Sequence, residues 1–128
     1  MTTPSNKLFT QGQVLAQELF DNEKGDIADA PLPAGDDLPD VLTTWLFGYL
    51  LKERTQLDVK TKVLLIIAMA TAGNQEDMLR RWIPAARKAG CDRTEVQETM
   101  VTLLVYAGWP ASRRALEVLA CEWPIQAT

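Results

Sequence analysis

The chain has 128 residues, 47% of them apolar, and carries 13 basic against 17 acidic side chains for a net charge of −4. That length suits a single domain, residues 1–128, with a globular core, and the acid excess argues against a nucleic-acid partner. Histidine is absent from the sequence, which removes the side chain most used for proton transfer near neutral pH.

Residues 8–22 predict a first helix with Leu8, Val14, Leu15, Leu19 and Phe20 on its apolar side. Asp21 to Asp37 is rich in Asp, Gly and Pro and predicts a long surface loop carrying Pro31 and Pro33. Pro39 suits the first turn of a second helix over 38–52, which holds Val41, Leu42, Trp45, Leu46, Tyr49 and Leu50. Asp58 is placed to cap a third helix. That helix contains Val63, Leu64, Leu65, Ile66, Ile67, Ala68, Met69 and Ala70. Being apolar all round, it is expected to be buried on every side, either centrally or against a neighbouring subunit.

Asn74 with Asp77 resembles a capping arrangement for a fourth helix that ends at Gly90, with a kink near Arg80 expected from Pro84. Asp92 and Glu95 form a second capping pair. A fifth helix follows, with Val96, Met100, Leu103, Leu104 and Ala107 on one face. After Gly108 and Pro110 a sixth helix runs to about Glu122, burying Ala111, Ala115, Val118 and Leu119. The basic cluster Arg80, Arg81, Arg87 and Lys88 reads as a solvated helix face. The expected fold class is all-α, about six helices, with no strand.

The run Val63 to Ala70 falls well short of the ~20 residues a bilayer span needs. The opening Met-Thr-Thr-Pro-Ser-Asn-Lys lacks the apolar core of a signal peptide. No membrane partner and a cytoplasmic location are expected. Cys91 and Cys121 are expected to be free, packed thiols, with a disulfide left open as the alternative. Two distant cysteines are a poor start for a metal site, so no metal and no cofactor are expected.

Several segments carry a family likeness: Arg54-Thr-Gln-Leu-Asp-Val-Lys-Thr-Lys, the apolar helix after it, Ala86-Arg-Lys-Ala-Gly and Glu95-Val-Gln-Glu. The most specific is Val105-Tyr-Ala-Gly-Trp-Pro-Ala-Ser-Arg-Arg-Ala, and Leu46-Phe-Gly-Tyr and Gly12-Gln-Val-Leu fit more loosely. In these the chain resembles the carboxymuconolactone decarboxylase family of the alkyl hydroperoxidase D superfamily. The resemblance implies an all-helical subunit built around a helical hairpin and assembled as a trimer or hexamer. It also implies a reactive helix face. In the redox branch that face holds two cysteines three apart and a histidine four further on, with a glutamate on the preceding helix. Those positions correspond here to Gln75, Met78, Trp82 and Val63. In the decarboxylase branch His and Glu take the places of Trp82 and Met78. Cys-x-x-Cys redox chemistry and histidine acid–base chemistry are therefore both excluded at this site.

The candidate substrate-binding residues are Val63, Gln75, Met78, Trp82, Trp109 and Trp45, walling an apolar pocket. The alternative is that Trp82, Met78 and Val63 fill the old pocket as core. Tyr106, Arg113 and Glu98 are the candidate catalytic groups: a hydrogen-bond donor, a guanidinium for a carboxylate or enolate, and a carboxylate base. Each has a plain counterpart in helix packing or an ion pair, as do Arg54 and Lys62. The expected function is a cofactor-free small-molecule enzyme acting on a hydrophobic, cyclic or polyketide-like substrate by cyclisation, isomerisation or decarboxylation. The alternatives are a non-catalytic homologue binding a ligand or partner, and a lactone decarboxylase with relocated groups.

Overall fold

The computed structural model describes residues 3–25 and 35–126, and every regular element among them is a helix. The elements are α1 (Thr3–Phe20), α2 (Leu38–Leu42) running on as a π-helix (Thr43–Glu53), α3 (Val59–Ala72), α4 (Glu76–Lys88), α5 (Arg93–Thr102), α6 (Leu104–Ala107) and α7 (Trp109–Glu122). They fall into two compact units that divide between Val59 and Lys60. Pro31 and Pro33, expected in a surface loop, lie outside the described residues.

In the amino-terminal unit, α1 packs along the π-helix. Two glycines set how closely. A Cβ on Gly12 would collide with the carbonyl oxygen of Thr43, and one on Gly48 with that of Leu8. Gly12, Leu15, Ala16 and Leu19 form the buried side of α1, whereas Val14, expected on that side, is exposed. The periodicity misplaced Val14 because small residues, not only large apolar ones, define this face. Phe47 is wholly buried and meets Phe20 edge-on at 5.9 Å. A Cβ on Gly25, at φ +68°, would collide with the Phe47 ring.

The second helix was expected to be α-helical throughout. Pro39 does sit in its first turn, but the run then widens, and Arg54 N–H donates to the carbonyl five residues back at Tyr49, 3.1 Å away. At the transition the hydroxyls of Thr43 and Thr44 donate to Pro39 O at 2.7 Å and Asp40 O at 2.9 Å. Such side-chain bonds occupy carbonyls within the helix and commonly bend it.

In the carboxy-terminal unit, α7 packs against α4, α5 and α6. The buried positions Leu79, Trp82, Ile83 and Ala86 of α4 follow the i, i+3, i+4, i+7 spacing of one helix face. Ser112, Ala115, Val118 and Leu119 form the buried face of α7, close to expectation. Ser112 was not foreseen in the core. Its hydroxyl is satisfied there by donating to Met100 O at 3.0 Å.

α3 is buried along Val63, Ile67, Ala70 and Thr71 only, with Leu65 46% and Met69 64% exposed. It is thus not the central helix that its all-apolar composition suggested. Its end is also made differently. Asn74 adopts φ +55°, Gln75 N–H donates to Ala70 O at 2.9 Å and Asn74 N–H to Thr71 O at 3.1 Å. That is the pattern of a left-handed C-terminal cap. Asn74 therefore closes α3 and does not open α4, whose first-turn acids Glu76 and Asp77 and last-turn bases Arg87 and Lys88 suit its dipole.

The expected fifth helix is interrupted at Leu103. Its buried stripe, Val96 and Met100, does not extend to Leu104, which is 42% exposed. Val101, Thr102 and Val105 surround the break, and β-branched side chains lose rotamer freedom in a helix. The start of α5 follows expectation. The Asp92 carboxylate accepts from Glu95 N at 2.8 Å and the Glu95 carboxylate from Asp92 N at 2.9 Å. Glu95 also pairs with Lys60 at 2.9 Å. The Asp92 amide, then Lys60, hold the Glu95 carboxyl below its ordinary value, while the bond to Glu95 raises Lys60.

Two outcomes are expected. A Gly→Ala change in an exposed helix interior stabilises, but Gly48→Ala should cost about 1–3 kcal/mol through overpacking against the Leu8 carbonyl, measurable by urea denaturation. The Glu95 contribution is present above the unfolded carboxylate pKa and is lost as pH falls through the lowered folded value. A carboxyl NMR titration should therefore place the Glu95 midpoint below 4.5, and Lys60→Ala should move it upward.

Candidate functional site

The positions that the family resemblance singled out at the start of α4 and along it differ in exposure, which falls in chain order. Gln75 stands before the helix, exposed, its amide donating to Gly73 O at 3.3 Å. Met78, one turn on, is 36% exposed, and Trp82, a further turn on, is 1% exposed. Val63 on α3 is likewise closed to solvent. The face thus runs from open water at Gln75 into the core at Trp82.

The polar candidates stand elsewhere. Tyr106 on α6 is 86% exposed and Trp109, at the start of α7, is 57% exposed. Between them Gly108 takes φ +86°, which a side chain would resist, and so turns the chain sharply. Arg113 lies one turn after Trp109, exposed, with Nε 3.9 Å from the Glu117 carboxylate. Glu98 is exposed and has no arginine partner among the described residues. It sits midway between the buried Val96 and Met100 in sequence, hence on the opposite face of α5. Val63 and Trp82 are therefore closed to solvent, whereas Tyr106, Trp109 and Arg113 are open to it.

Trp45 belongs to the amino-terminal unit. There, 55% exposed, it lines a cleft of about 450 Å³ between the start of α1 and the second helical run. Sequence reasoning did not foresee this cleft. Its only signal was an apolar Trp45 and Val41 beside Asp37 and Asp40 on a helix that buries Phe47 instead.

The remaining charged groups are mostly paired. Arg54 Nη1 donates to the Tyr49 hydroxyl at 3.2 Å, with its guanidinium 5.8 Å from that ring. Arg80 bonds Glu76 at 2.9 Å and Glu122 at 3.1 Å, with Glu76 the larger cause of its raised pKa. Arg87 lies over the Trp123 ring at 5.2 Å. These exposed pairs add little stability each. Among the described residues no three His, Cys, Asp or Glu side chains gather to hold a metal ion, and no helix is long and apolar enough to cross a membrane.

An all-helical scaffold with this α4 face and the turn through Gly108 defines a class of small helical proteins. The profile of the carboxymuconolactone decarboxylase family matches residues 37–120. An uncharacterised 15.0 kDa protein from the nqo9–nqo10 intergenic region of Paracoccus denitrificans is 33% identical over 130 residues, which cover 92% of this chain and 92% of that protein. The chain belongs to the carboxymuconolactone decarboxylase family.

Both cysteines are free, but only Cys91 is packed. Its thiol donates to Lys60 O at 3.7 Å, whereas Cys121 is exposed. A thiol reagent under native conditions should modify Cys121 first, with Cys91 slower by roughly 100-fold or more because it requires local unfolding. Mass spectrometry of the partially labelled protein reads the order, and urea should abolish the difference.

Proposed function

We propose that this chain is a ligand- or partner-binding member of its family that has given up histidine and Cys-x-x-Cys chemistry while keeping the helical scaffold. The observation that carries this is Trp82, 1% exposed at the position where the family's decarboxylases place histidine. Its indole, with Val63 also closed to solvent, acts as core. Water reaches neither side chain, so neither is open to a dissolved substrate. Gln75 is an amide and Met78 a thioether, and neither serves as an efficient general base near neutral pH.

The open face of α3, with Leu65 and Met69 exposed, supports a trimer or hexamer in the cytoplasm. Burying two such side chains contributes a few kcal/mol per subunit. A second function is supported by the α6–α7 corner: a small-molecule enzyme whose site is completed between subunits. Tyr106 and Trp109 are exposed there, with Arg113 one turn from Trp109. A hydrophobic cyclic or polyketide-like substrate would be held by the two rings and oriented by the guanidinium, and cyclisation, isomerisation or decarboxylation would follow from positioning.

Two measurements on one pair of proteins test the closed-core function. The wild-type protein should not turn over carboxymuconolactone above background at high protein concentration. Trp82→Ala should lose about 3–5 kcal/mol of stability and recover part of its Tm when indole is added, whereas the wild type should bind no indole at that position. Turnover by the wild type would establish a lactone decarboxylase with relocated groups. Indole binding that the wild type shows and Trp82→Ala loses would make Trp82 a pocket wall and overturn the closed-core function.

A further inference from the structure

The amino-terminal unit carries a cleft that this function does not use. Phe9 of α1 and Val41, Trp45 and Tyr49 of the second helical run form its apolar walls, and Asp37 and Asp40 lie at its edge. Its volume of about 450 Å³ is within the range of small-molecule sites. Val41 and Trp45 stand 50% and 55% exposed, so the walls face water.

Three observations define the occupant. Asp37 stands at the N-cap of α2, yet its carboxylate caps nothing, and neither Asp37 nor Asp40 has an ion-pair partner among the described residues. A second pocket of about 420 Å³ shares Phe9 and Asp40 with the cleft and adds Asp21 and Glu23 against a single Lys24. Acidic side chains therefore also line the neighbouring pocket. Finally, the aromatic cluster already attracts a cation from the chain itself, since the Arg54 guanidinium lies 5.8 Å from the Tyr49 ring.

An anionic ligand would be repelled by this end, and a neutral apolar one would leave the two exposed carboxylates at its edge unmatched. A ligand with an apolar body and one positive charge meets both demands. Its ring or chain covers Trp45 and Val41, and its ammonium approaches carboxylate oxygens through charge-assisted hydrogen bonds, with the indole face adding a cation–π term. We propose that this cleft binds a small aromatic or alkyl ammonium ion, with the ammonium at Asp37 and Asp40 and the apolar body on Trp45.

The test compares three indoles of one shape and different charge on the full chain: tryptamine, the neutral tryptophol and the anionic indole-3-propionate. Calorimetry at low ionic strength gives affinities, and ¹H–¹⁵N spectra give the location. Tryptamine should bind about 10-fold tighter than tryptophol, with indole-3-propionate not binding and the largest shifts at Trp45 and Asp40. Asp40→Asn should weaken tryptamine several-fold and leave tryptophol unchanged. Trp45→Ala should weaken both, with circular dichroism confirming that each variant folds. Equal affinity for all three compounds, shifts centred away from the cleft, or an Asp40→Asn protein that binds tryptamine normally would each overturn the proposal. Cleft signals that shift with protein concentration in the absence of amine would also overturn it, making the cleft a self-association surface. None of these results depends on Trp82, so the two proposals stand or fall separately.

Discussion

Burial of the Trp82 indole is the constraint around which the carboxy-terminal unit is arranged. An indole is the largest side chain a core can accept, and excluding it from water contributes more than any other single residue in this unit. Its neighbours on the α4 face are Leu79, Ile83 and Ala86, and α4 packs against α7, whose buried residues are Ser112, Ala115, Val118 and Leu119. In the function proposed above, this buried indole also stands in for the reactive group of the family's decarboxylases.

The amino-terminal unit solves a different problem. Its helices approach until backbone meets backbone at Gly12 and Gly48, leaving no room for a methyl group. The same helical run buries Phe47 and Leu51 and leaves Val41 and Trp45 open, where they line the cleft.

Much of the fold was legible because its signals are local. The Asp92–Glu95 capping pair and Pro39 in a first turn depend on spacings within a few residues and appear as expected, and of the four residues expected on the buried side of α7 three, Ala115, Val118 and Leu119, are buried. Asn74 was misassigned because a polar residue between two helices suits either the end of one or the start of the next. Only its backbone angle, φ +55°, decides which. The break at Leu103 was missed because apolar spacing continues across it, while helix continuity there depends on backbone hydrogen bonds.

The sequence by itself determined the all-helical class, the family and the absence of histidine chemistry, since these rest on residue types and local period. Only the tertiary structure decided that Trp82 is closed to water while Tyr106, Trp109 and Arg113 are open to it. It likewise decided that the uniformly apolar α3 leaves Leu65 and Met69 uncovered, and that Trp45 lines a cleft. The physical reason is that burial is a property of what surrounds a side chain. A tryptophan has the same composition and the same helical spacing whether it plugs a core or faces solvent.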